Sequence, residues 1–149
     1  MKNDDVINLK LKGKSIEDLK IISSYLQDSI VQTKDIIFLE RNRIFIIILN
    51  RFMWEDIEKG IFRKNRRIRC ALKFEEVLEV KSKNINQKNK NKPLEYMAIK
   101  SNILSNNNFQ IKIFFSGGGV ITVVSEIVKV LINDLGKPWK VKYFPLHKI

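Results

Sequence analysis

The chain has 149 residues, of which 44% are hydrophobic and 30% charged, with a single cysteine and a formal net charge of +12. That is single-domain size, enough to bury roughly 70% of the unfolded surface, and the composition excludes wholesale disorder, an internal disulfide and a multi-cysteine metal site. The charge favours anionic partners, although all but seven of the 28 basic residues are lysines, as expected where an AT-rich codon bias enriches Lys, Ile and Asn.

The polar start Met1-Lys2-Asn3-Asp4-Asp5 does not read as a signal peptide. The longest apolar run, Ile44 to Leu49, is far shorter than the roughly 20 residues of a membrane-spanning helix. The expectation is a cytoplasmic protein. Val6, Leu9 and Leu11 suggest a first strand ending near Gly13. Ser15 then stands where a helix N-cap belongs, with Glu17 and Asp18 in the first turn. Ile16, Leu19, Ile22, Leu26 and Ile30 recur at steps of three and four, predicting a helix to about Ser29 with one apolar stripe.

The runs Ile36 to Leu39 and Ile44 to Leu49, joined by Glu40-Arg41-Asn42-Arg43, predict a hairpin whose second strand is covered on both faces. Ile68, Cys70, Leu72 and Phe74 alternate with Arg67, Arg69, Ala71 and Lys73, so Arg67, Arg69 and Lys73 are expected on one outward strand face. Glu75-Glu76 reads as a turn into a strand from Val77 to Lys83. Asn84 to Pro93, with Lys88, Lys90 and Lys92, reads as a solvated loop rather than a docking site.

Strands are expected at Leu94 to Ile103, Phe109 to Phe115 and Val120 to Val124. Ser116-Gly117-Gly118-Gly119 is a tight turn between the last two; it is not a phosphate loop, because a strand follows it. Ser125 and Glu126 open a predicted last helix whose stripe is Val128, Leu131, Ile132 and Leu135, with Gly136 and Pro138 as its stop. The tail, 140–149, is expected either to pack back or to lie free. The whole chain is expected to form one domain.

Catalytic candidates are few. His147 lies near the C-terminus and Cys70 sits on the inward phase of its strand, so neither suggests a nucleophile or base, and no metal or cofactor is indicated. Two other groups stand out. All seven arginines fall between Arg41 and Arg69, and Lys59, Arg63, Lys64, Arg66, Arg67, Arg69 and Lys73 form a basic run without an acid. Its residues Arg63, Lys64, Arg66, Arg67, Arg69 and Lys73, beside Phe52, Trp54 and Phe62, are the candidate partner-binding surface, since cations with aromatics suit phosphates and bases. Gln27, Asp28, Asn50, Arg51, Trp54 and Glu55 form a second group, either a pocket or a structural motif in which Arg51 is a fork near Glu55.

Tyr25-Leu26-Gln27-Asp28, Leu49-Asn50-Arg51-Phe52-Met53-Trp54-Glu55, Phe115-Ser116-Gly117-Gly118-Gly119 and Asp134-Leu135-Gly136-Lys137-Pro138-Trp139 occur in an order that resembles an uncharacterised, mostly alphaproteobacterial family, domain of unknown function 2948. The chain departs from the family's pattern at Ser29, where alanine is usual, and in the longer loop at 84–93. The resemblance implies a small bacterial protein, with no activity, cofactor or catalytic residue to carry over.

The expected fold is α+β: a strongly bent antiparallel sheet or partly open barrel, with a helix after the first strand and a closing C-terminal helix, similar to a pleckstrin-homology-like architecture. The alternative is an open antiparallel sheet with both helices on one face. The expected function is a non-catalytic binding or adaptor module with a basic surface for an acidic partner, whether RNA, acidic protein or anionic lipid. The alternatives are an enzyme or small-ligand binder with a pocket near Asn50, Arg51 and Glu55, and a structural subunit with Trp139 and Phe144 at the contact.

Overall fold

The computed structural model describes residues 8–55 and 65–142. The first strand, β1 (Lys10–Gly13), leads into helix α1 (Ile16–Tyr25). Ser15 caps that helix, its hydroxyl accepting the Asp18 amide at 3.2 Å. The helix ends sooner than its apolar period suggests, because the chain turns at Asp28, whose φ is 63°, and enters a strand at Ile30. Its buried side is Leu19 and Ile22, with Leu26 just beyond, and the Ser23 hydroxyl pairs with the Tyr96 hydroxyl to tie it to the sheet.

Strands β2 (Ile30–Leu39) and β3 (Ile44–Phe52) form the expected hairpin around a tight turn at Glu40–Asn42, with Arg43 left-handed. Then follow β4 (Arg66–Phe74), β5 (Val77–Lys83), β6 (Pro93–Ile103), β7 (Phe109–Phe115), β8 (Val120–Ser125) and β9 (Val130–Lys140). All pairings are antiparallel, in the order β1-β9-β4-β3-β2-β6-β7-β8-β5. The fold is therefore an open antiparallel sheet of nine strands with one helix among the described residues.

One core joins the two halves of the sheet: Phe45, Ile47, Leu49, Cys70 and Leu72 on one side, Ile111, Ile113, Ile121 and Val123 on the other, with the helix residues between. The sheet must curl for those faces to share a core. The two faces of β3 are covered unequally, where the expectation is double cover: Phe45, Ile47 and Leu49 are buried, while Ile44, Ile46 and Ile48 are only half-buried.

The predicted C-terminal helix is also corrected. Residues from Val130 on form β9, inserted between β1 and β4, so the closing helix on which the pleckstrin-homology-like comparison rests is an interior strand next to the sheet edge. The inward positions are Val130, Ile132 and Asp134, all buried. A charged residue at the third of these hides the period of two, whereas Leu131 and Leu135, on the other face, complete an accidental helical spacing. Gly136 and Pro138 are not a helix stop. Between the pairs Arg69 with Leu135 and Arg67 with Trp139, β9 bulges, and Gly136, at φ 72°, turns the backbone there.

Candidate functional site

The Asn50 to Glu55 motif is built around Arg51. Being on the inward phase of β3 beyond Leu49, its side chain enters the core and is fully buried. All five N–H donors are used. Nε and Nη2 each donate to Asp134 at 2.7 Å, Nη1 and Nη2 donate to Glu55 at 2.9 and 2.6 Å, and Nη1 also reaches the Phe52 carbonyl at 3.5 Å. Asp134 accepts the Leu9 amide as well, at 2.9 Å, so the same carboxylate fastens the chain entering β1. Burial alone would lower the Arg51 pKa, but its hydrogen bonds to the Asp134 and Glu55 carboxylates, with their charges, outweigh that and raise it. With all five donors engaged, Arg51 is a fork that holds β3 to β9.

The remaining members of this motif interlock with it. The Trp54 indole donates to the Gln27 carbonyl at 2.9 Å and packs against the fully buried Phe52, the rings 4.7 Å apart and tilted by 60°. Asn50 points away from Arg51, as successive strand residues must. It lines a small cleft of about 130 Å³ with Asp35 and Arg69, where its buried Oδ1 has no hydrogen-bond partner. Asn50 and Arg51 are thus not gathered into one pocket.

The basic run is likewise divided. Lys59, Arg63 and Lys64 lie outside the described residues, as do Phe62, Phe144 and His147. Arg67 folds back on the motif, donating to the Asp28 and Asn50 carbonyls at 3.1 and 3.0 Å with its guanidinium 5.8 Å over the Phe52 ring. Its burial lowers its pKa against the opposing charges of Asp28 and Glu95. Arg66, opposite Lys140, is half-buried, and Arg69 is exposed 3.7 Å from Asp35. Lys73 lies at the other end of β4, roughly 23 Å from Arg66 at strand rise.

Around Lys73 the fold assembles a cluster that the sequence does not announce. Lys12 and Lys73 both pair with Leu131, one from β1 and one from β4, and Lys10 follows on the same face opposite Asn133. With Lys14 and Lys129 they line a cleft of about 460 Å³, in which Glu75 is the single acid, 3.8 Å from Lys129. Four of these five lysines are exposed. Their positions, 10, 12, 14, 73 and 129, are too scattered to stand out in sequence; the alternation Lys10, Lys12, Lys14 is the one local signal.

Chemically, this is a cation-lined groove with no Ser, Thr, Cys or His in its lining. Cys70 is fully buried, and burial, with Asp134 close by, raises its thiol pKa well above the ordinary value. Among the described residues no three His, Cys, Asp or Glu side chains stand close enough to share a metal ion, and no helix is long and apolar enough to cross a membrane. No curated protein and no solved structure matches the chain. A family profile does match, over residues 9–147, and by that match, which takes in the Arg51 fork, its Asp134 anchor and the lysine cleft alike, the chain belongs to the family described as "Protein of unknown function (DUF2948)".

Proposed function

We propose that this chain is a binding module without catalytic chemistry of its own, and that the lysine cleft at the β1–β9–β4 end of the sheet is its docking surface for an acidic partner. The observation that carries this reading is the convergence of Lys10, Lys12, Lys14, Lys73 and Lys129 on one concavity lined by a single carboxylate. Clefts walled by one sign of charge focus the field and raise the local concentration of counter-charged ligands. Lysine ammonium groups act as mobile point charges, suited to a run of phosphates or carboxylates rather than to one fixed fork. The arginines of the original candidate surface contribute less. Arg67 is committed to backbone carbonyls and Arg69 stands beside Asp35.

The test is equilibrium binding of the wild type and a Lys12→Glu/Lys73→Glu/Lys129→Glu variant to three probes: a short oligo-uridine RNA, a polyglutamate peptide and vesicles containing phosphatidylglycerol. At least one probe is expected to bind with an affinity that falls as salt rises, and the variant to bind it at least about tenfold more weakly. The responding probe identifies the partner class. Failure of all three to bind, or equal binding by the variant, rejects the reading.

A further inference from the structure

A second cavity, of about 420 Å³, lies away from the lysine cleft, between β2 and β5. Its origin is topological. β2 pairs with β6 only from Ile30 to Gln32 and then bulges, regaining its register with β3 at Ile36. β5 pairs only with β8. The outer edges of β2 and β5 therefore run past each other unpaired. The gap between them is closed at one end by the Val77 amide donating to the Arg43 carbonyl at 2.9 Å, and at the other by the Lys34 amide donating to the Lys90 carbonyl at 3.1 Å.

We infer that this cavity binds one amphipathic anion, an acyl chain bearing a single carboxylate. Its walls are Ile36, Phe38, Val80 and Ile85, over a floor of buried Phe45 and Ile121. The cavity opens to solvent, where Thr33, Ser82 and Gln87 share the lining with two lysines, while its depth is apolar. The volume falls within the roughly 300–1,000 Å³ of small-molecule sites. The exposed Lys34 and Lys90 stand at the rim, no Asp or Glu lines the cavity, and neither lysine makes an ion pair among the described residues. Apolar walls with a cationic mouth match an apolar tail with an anionic head. Because backbone contacts close both ends, a polypeptide strand cannot run through to extend the sheet.

The probe is dodecanoate below its micellar concentration, titrated into the full chain by calorimetry, with the isoleucine methyl signals followed by NMR. One molecule is expected to bind saturably, shifting the methyl groups of Ile36, Ile85 and Ile121. Dodecanol, with the same chain and no charge, is expected to bind about tenfold more weakly, a difference of about 1.4 kcal/mol. Lys34→Glu/Lys90→Glu should weaken dodecanoate to a similar degree. Ser82→Trp, at the exposed rim, should block it, and neither change touches the core. Lys12→Glu/Lys73→Glu/Lys129→Glu should leave dodecanoate binding intact, which separates this site from the lysine cleft. The inference is overturned by an absence of saturable binding, by equal affinity for dodecanol, or by binding that survives both rim variants.

Discussion

Arg51 decides whether β3 and β9 can lie where they do. A fully buried guanidinium is tolerated because two carboxylates and a carbonyl take up its five donors, and the pair is costly to break one partner at a time. Arg51→Met should therefore destabilise the fold by about 3–5 kcal/mol in urea unfolding, since it leaves Asp134 buried without its counter-charge. A loss below about 1 kcal/mol, the usual worth of an exposed pair, would show that the fork is dispensable. Arg51 was legible as a fork near Glu55, four residues on, because apolar neighbours surround it. Asp134 was not, because 83 residues separate it from Arg51 and only the strand pairing unites them. Two further buried residues govern the response to alkali. Burial raises the Cys70 thiol from its ordinary 9.0 and the Tyr96 hydroxyl from 10.0. Each ionises more readily in the unfolded chain, so their stabilising contribution is complete below about pH 9 and declines as the pH rises further. The urea midpoint should hold steady up to that point and then fall, and Cys70→Ala should flatten the first part of the decline. A midpoint that rises above pH 9 would contradict the sign.

The elements that sequence patterning reveals are those whose pattern is local. Helix α1 has its cap and stripe within a dozen residues, and the hairpins of β2–β3 and β7–β8 carry their own turns, so these were readable. β9 is hidden in the sequence because its place between β1 and β4 is fixed by residues far away, and because its inward Asp134 is acceptable only opposite Arg51. The lysine cleft is hidden for the same reason, since it exists only once β1 and β4 flank β9. Gly136 offers a check at this scale. Its φ of 72° is left-handed, and a Cβ added there would meet nothing within 4 Å. Gly136→Ala should therefore cost about 1–2 kcal/mol, all of it from the backbone. A neutral substitution would mean that the bulge relaxes freely. Far-UV circular dichroism should likewise show a β-dominated spectrum, since among the described residues nine strands stand against the ten residues of α1.

At the scale of the whole molecule, the net charge of +12 is not spread evenly in its effect. Lysines on the long loop, such as Lys88 and Lys92, stand alone in solvent, whereas those of the cleft act together on one concavity. The central claim is that this geometry, and not the total charge, recruits an acidic partner. It is tested most directly by comparing Lys12→Glu/Lys73→Glu/Lys129→Glu with a control of equal net charge, Lys83→Glu/Lys88→Glu/Lys92→Glu, for affinity to the same polyanion across a salt series. The cleft variant should lose at least about tenfold in affinity and show a shallower dependence on salt, while the control stays near the wild type. An equal loss in both variants would mean that net charge alone attracts the polyanion, and would contradict the assignment of the cleft.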